Sequence, residues 1–158
     1  TLRMNPDRVI VGEVRGSEAL VMLSAMTQGN DGSMSTIHAR DARQVFERLA
    51  VLAASAGEGM DLATARVLIS QAIDFVVFCD QVYTGPDTTQ RVVSAVLEVT
   101  GFDTVIQASE IFRLDGDRAA YTGVAVARER TLLAAGWKPA GYASPALYLE
   151  PAAPGWAR

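Results

Sequence analysis

Three short apolar runs, each bounded by turn residues and separated by stretches with apolar residues at helical spacing, confine this chain to a layered α/β arrangement. Val9-Ile10-Val11, preceded by Asn5-Pro6-Asp7 and closed by Gly12, reads as a buried strand of a parallel sheet. Ala19, Met22, Leu23 and Met26 then recur as one helix face, with Ser17 the expected N-cap and Gly29 the stop. Asn30-Asp31-Gly32 marks a turn, and Ser33 to Ile37 forms a second expected strand ending at His38. From Asp41 the period is helical again, with Val45, Leu49, Leu52 and Ala56 on one face up to the break at Gly57-Glu58-Gly59. Asp61 is placed to cap a third helix, whose Leu62, Ala65, Leu68, Ile69 and Ala72 share a face. Phe75 to Cys79 reads as a third buried strand.

Beyond Tyr83 the organisation changes. Gly85-Pro86-Asp87 is a turn, and the stretches 91–100 and 104–114 read as an antiparallel pair joined at Gly101-Phe102-Asp103. Val126 to Ala135 has the length for one last helix. From Trp137 onward Gly, Pro and Ala dominate, which predicts a poorly ordered tail over 137–158. The expected fold is an α/β core over 1–136 with the antiparallel pair at its edge.

Composition excludes several classes of function. The chain has 158 residues, of which 49% are hydrophobic and 20% charged, enough for one sizeable core. A formal net charge of −4 argues against a domain built to grip nucleic-acid phosphates, so no specific nucleic-acid partner is expected. One cysteine, Cys79, and one histidine, His38, leave no ligand set for zinc and no internal disulfide, and no metal site is expected in the chain. No apolar stretch approaches the ~18 residues of a membrane span. The reading is a soluble intracellular domain. Met22, Met26 and Met34 read as core packing, and Trp137 and Trp156 carry no functional assignment.

Two segments carry chemistry. In Arg8-Val9-Ile10-Val11-Gly12-Glu13-Val14-Arg15-Gly16, a carboxylate stands just past the carboxyl end of a strand, the edge where open α/β sheets bind ligands. Gly12 removes a side chain beside it, so a nucleotide or water can approach the backbone. Glu13 there can orient an attacking water and accept its proton, or be a solvated loop glutamate. In Gly32-Ser33-Met34-Ser35-Thr36-Ile37-His38-Ala39 the sole histidine follows a second strand. It can hydrogen-bond a γ-phosphate or the water attacking it, or be satisfied within a turn at a helix start.

The order and spacing of these pieces resemble the Walker B region and histidine box of type II/IV secretion-system ATPases, and within that family the CpaF-type ATPases of tight-adherence pili. The resemblance runs through Glu47-Arg48-Leu49, Ala72-Ile73-Asp74-Phe75-Val76-Val77, Leu97-Glu98-Val99-Thr100-Gly101 and Ile111-Phe112, and covers roughly residues 1–136. It implies the C-terminal half of a RecA-like P-loop NTPase core. It also implies that Glu13 is the catalytic glutamate and that His38 couples nucleotide state to conformation, with Glu13, Arg15, Thr36 and His38 meeting the nucleotide. Arg3 and Arg15 fall where such ATPases carry arginines near the nucleotide or subunit boundary, where a guanidinium stabilises phosphoryl charge; a surface ion pair with Asp7 or Glu18 is the other reading. The implied substrate is ATP with Mg²⁺, the implied assembly a homo-hexamer, the implied partner an inner-membrane platform protein, and the implied location the cytoplasmic face of that membrane.

One departure stands against these matches. No Gly-x-x-x-x-Gly-Lys-Ser/Thr occurs in the chain, so the phosphate-cradling backbone and its lysine are missing from it. The chain alone is expected to bind ATP poorly and to hydrolyse it negligibly. Either it is a fragment of a hexameric motor, or it is a non-catalytic module that binds an intact ATPase or platform protein. A RecA-like nucleic-acid motor is disfavoured by the histidine box and the net acidity.

Overall fold

The computed structural model describes residues 6–56 and 59–137. Arg3, Trp156 and, Trp137 apart, the expected tail lie outside the described residues. The chain divides into two compact units, Thr1–Val76 with Val99–Ala108, and Val77–Glu98 with Ser109–Arg158.

The first unit carries the parallel pairing. Strand β1 (Ile10–Val11) lies beside β2 (Met34–Ser35) in parallel, with Ile10 opposite Met34 and Val11 opposite Ser35. The pairing continues outside these bounds: Met34 N–H donates to the Val9 carbonyl at 3.0 Å and Val14 N–H to the Thr36 carbonyl at 2.9 Å. Between the strands runs α1 (Glu18–Met26), followed by Gly29 at φ +87°. Helices α2 (Gln44–Ala54) and α3 (Leu62–Ala72) follow, and the three helices pack on one another. Their buried residues, Ala19, Leu20, Met22 and Leu23 of α1, Val45, Phe46, Leu49, Ala50 and Ala53 of α2, and Ala65 and Ile69 of α3, form the core of this unit. The small alanines among them let the helix backbones approach closely. Asp61 caps α3 as expected, its carboxylate accepting from Thr64 N–H at 2.7 Å.

A four-stranded sheet in the order β3-β4-β5-β6 follows: β3 (Phe75–Gly85), β4 (Thr88–Phe102), β5 (Ile106–Asp115) and β6 (Arg118–Tyr121). The division between the units falls within β3, β4 and β5. Connections of two or three residues leave only antiparallel neighbours, since a parallel pair needs a long crossover. In the second unit Val92, Val93, Leu97, Ile111, Ala119 and Val126 are buried. The Phe112 and Tyr121 rings, opposite each other in the β5–β6 register, lie tilted with centroids 5.8 Å apart. Glu98 is fully buried in the same unit. Its carboxylate accepts from Ala127 N–H at 2.7 Å and Arg128 N–H at 2.9 Å, just before α4 (Glu129–Ala134).

Several expectations are corrected. Val9-Ile10-Val11 is not buried: Ile10 is 62% exposed, because among the described residues β1 has only β2 as a sheet neighbour. The second strand is two residues rather than Ser33 to Ile37. Met34 is exposed on that short pair instead of packed in a core, whereas Met22 is buried. Ser17 does not cap α1 through its side chain, because its backbone is already in the helical region and a capping residue needs an extended one. Glu18 serves that turn instead, accepting from the N–H groups of Arg15 at 2.7 Å and Gly16 at 2.9 Å. The run Phe75–Cys79 is an edge strand with one face covered, so Val76 is buried while Val77 and Cys79 are exposed. It also continues to Gly85, making a four-stranded meander where an edge pair was expected.

Candidate functional site

Parallel pairing sets the site. Because β1 and β2 run the same way, their carboxyl ends lie side by side, and the residues that leave them, Glu13 and His38, emerge together. His38 Nε2 is 3.3 Å from one Glu13 carboxylate oxygen, Oε1, and an Arg15 guanidinium nitrogen is 2.6 Å from the other, Oε2. The Glu13 side chain is 25% exposed, against 76% for Arg15 and 86% for His38, so a half-sheltered acid lies beneath two cation-forming groups open to solvent.

Backbone bonds between the two strand exits fix this arrangement. Thr36 Oγ1 donates to the Gly12 carbonyl at 2.5 Å, and Val14, immediately after Glu13, is buried and bonded to the Thr36 carbonyl. Glu13 is thus held between two residues tied to the neighbouring strand. Thr36 acts through this bond to Gly12. A Cβ placed on Gly12 would meet nothing within 4 Å among the described residues beyond its two chain neighbours, so the space beside the Gly12 backbone is open. At the other end of β2, Ser33 Oγ accepts from Val9 N–H at 2.8 Å and closes the pairing.

The electrostatics follow from the contacts. The Arg15 hydrogen bond holds the Glu13 carboxyl below the usual glutamate range; burial opposes it, and electrostatic attraction to Arg15, then His38 and Arg48, adds smaller support. The same bond pushes the Arg15 guanidinium up. Glu18, the first residue of α1, likewise has its carboxyl held below the usual range, chiefly by the backbone N–H of Arg15.

Of the residues expected at a site, Glu13, Arg15 and His38 come together in direct contact, and Thr36 joins them through the backbone. Arg15 pairs with Glu13, not with Asp7 or Glu18. Arg48 was not singled out as a site residue in the sequence. It belongs to an open groove of about 720 Å³ along α2, lined by His38, Ala39, Arg40, Gln44, Glu47, Arg48, Val51 and Leu52. The available signal was a helical spacing of Gln44, Arg48, Val51 and Leu52, legible only once His38 is known to stand at its head. Among the described residues no group of three or more His, Cys, Asp or Glu side chains converges as a metal site.

A family model for type II/IV secretion system proteins matches residues 1–115. The chain is 34% identical over 102 residues to the conjugal transfer protein TrbB of Rhizobium radiobacter, covering 65% of this chain and 29% of that protein. It is 37% identical over 79 residues to the protein VirB11 of Agrobacterium fabrum, covering 49% of this chain and 23% of the relative. The crystal structure of the VirB11 ATPase from the Brucella suis type IV secretion system, in complex with sulphate, superposes with a TM-score of 0.55 at 31% identity. That match covers 61% of this chain and 29% of the solved one. The chain therefore spans less than a third of the length of these relatives.

Proposed function

The chain belongs to the type II/IV secretion system protein family, and from that premise we propose that it is the water-activating part of an ATP-hydrolysing secretion motor. The observation that carries this reading is the Glu13 carboxylate held between Arg15 and His38 where β1 and β2 end side by side. Its wider frame is a RecA-like core working as a homo-hexamer on a membrane platform protein at the cytoplasmic face, in a CpaF-like pilus or secretion machine. No helix among the described residues is long and apolar enough to cross a membrane.

The chemistry follows from the charge arrangement. A carboxylate held ionised by a guanidinium is a weak proton acceptor, so Glu13 first orients water through the lone pairs that Arg15 and His38 leave free. Arrival of a triphosphate offers Arg15 a more highly charged partner. As Arg15 turns to the phosphate, Glu13 loses its main counter-ion and gains basicity when the attacking water needs it. His38 spans the acid and the γ-phosphate and registers whether that phosphate is present. Mg²⁺, carried by the phosphates, would supply charge neutralisation between the β- and γ-oxygens. Arg3 remains a proposed inter-subunit arginine.

Glu13→Gln tests the assignment in a complete protein containing this region. Turnover is expected to fall by at least ~100-fold, as for loss of a positioned acid–base group, while ATP binding is kept. Undiminished turnover would refute the role of Glu13. The lack of Gly-x-x-x-x-Gly-Lys-Ser/Thr in these residues favours one second reading, a non-catalytic module that docks on an intact ATPase or platform protein. Under that reading Glu13→Gln changes no turnover and weakens the complex only if the site lies in its interface.

A further inference from the structure

The groove along α2 begins where the Glu13 site ends. His38 stands at its head, and Arg40, Gln44 and Arg48 follow along it, with Val51 and Leu52 at the far end. Gln44, Arg48, Val51 and Leu52 fall at i, i+4, i+7 and i+8, one outward face of a helix whose opposite face is buried. Glu47 is the groove's one acid. Arg66 takes both its oxygens, Nε to Oε1 at 3.0 Å and a terminal nitrogen to Oε2 at 2.8 Å, and this pairing holds the carboxyl below its usual range. Arg40 and Arg48 are exposed, and among the described residues no carboxylate pairs with either. Within the described residues the groove therefore presents two guanidinium groups without a carboxylate in salt-bridge contact, and an amide donor. Each guanidinium has the planar fork of N–H donors that matches phosphate oxygens.

We propose that this groove is a phosphate-binding wall of the Glu13–His38 site, with Arg48 as its principal cation and the polyphosphate of a nucleoside triphosphate as its ligand. His38 both approaches the Glu13 carboxylate at 3.3 Å and lines the groove beside Arg48, so the groove adjoins the acid. The identity of the ligand rests on the motor reading; the anion site does not.

The sole histidine makes the test specific, since the His38 imidazole resonances report one position at the head of the groove. Sodium tripolyphosphate titrated into the full chain should move them saturably. Arg48→Gln should weaken the apparent affinity about tenfold, the cost of a charge-assisted hydrogen bond, and Arg48→Lys should restore part of it. A matched chloride titration that reproduces the shift, or an Arg48→Gln variant that binds as tightly as the parent, would overturn the site. Inorganic phosphate binding as tightly as tripolyphosphate would overturn the nucleotide assignment, marking a site for single phosphate groups, whether free or on a lipid headgroup. Far-UV spectra of the variants guard against a folding defect, and the lysine variant keeps the test valid if glutamine disturbs α2. Arg48-dependent binding with normal turnover in Glu13→Gln would sink the motor reading and leave the site standing. Abolished turnover in Glu13→Gln with Arg48-independent binding would do the reverse.

Discussion

Glu13 is held by two groups of different reach: Arg15 grips one oxygen directly, and His38 approaches the other at 3.3 Å. Direct contact makes Arg15 the main cause of the depressed Glu13 carboxyl, which fixes the sign of a pH experiment. A depressed acid stays ionised as pH falls below the ordinary glutamate range, so turnover that needs the carboxylate persists there. Arg15→Met removes the largest cause and lets the Glu13 carboxyl rise toward its ordinary value. The acid limb of the kcat/KM profile of the complete protein, which reports the free enzyme in which Arg15 still pairs with Glu13, should then move to higher pH, whereas an unmoved limb would mean that another group controls it. At this scale the site was half legible. Glu13 and His38 each follow a short β-branched or hydroxyl-rich run, so their place at strand ends could be read from neighbours in the chain. Arg48 could not, because its relevance depends on which face of α2 looks toward His38, a tertiary fact. Ser17 fails to cap α1 for a local reason, its backbone being already helical, while Glu18 binds the N–H groups of Arg15 and Gly16 ahead of the helix.

Among the elements, Glu98 of β4 makes the clearest claim. Burial of an acid is unfavourable unless hydrogen bonds compensate, and here the carboxylate meets two successive backbone N–H groups, with the Arg128 guanidinium at 3.6 Å. It thereby fixes the entry to α4, a short helix with no buried residue of its own. Glu98→Ala should destabilise the chain by roughly 1–3 kcal/mol in chemical denaturation, the cost of stranding such donors, and speed amide exchange at Ala127 and Arg128. An unchanged midpoint would show that α4 is held by something else. Helices were read well from sequence because their faces repeat over three turns, and Asp61 announced α3 unambiguously. Strands were read less well. Phe75–Cys79 looks continuously apolar, yet only the alternation of Val76 and Val77 across an edge strand shows which face is covered. Strand β6 went unread although Asp115-Gly116-Asp117 signals a tight turn, with Gly116 at φ +65° as that turn requires. Four residues were too few to show a period.

As a whole molecule, the chain corresponds to less than a third of its relatives' length, and its two-stranded parallel sheet leaves Ile10 and Met34 in register and exposed. Parallel strands are ordinarily covered on both faces, so this is the part of the fold whose burial the sequence overstated. The juxtaposition on which the proposed function rests is present nonetheless, because two parallel strand ends suffice to bring an acid and an imidazole together. If they act on one phosphate tail, their contributions to turnover cannot be independent. The decisive measurement is a double-mutant cycle of ATP turnover in the complete protein with Glu13→Gln, His38→Ala and both together. The double variant should be no slower than the slower single one, since either change disables the same unit. Effects that multiply in full would mean that Glu13 and His38 work apart.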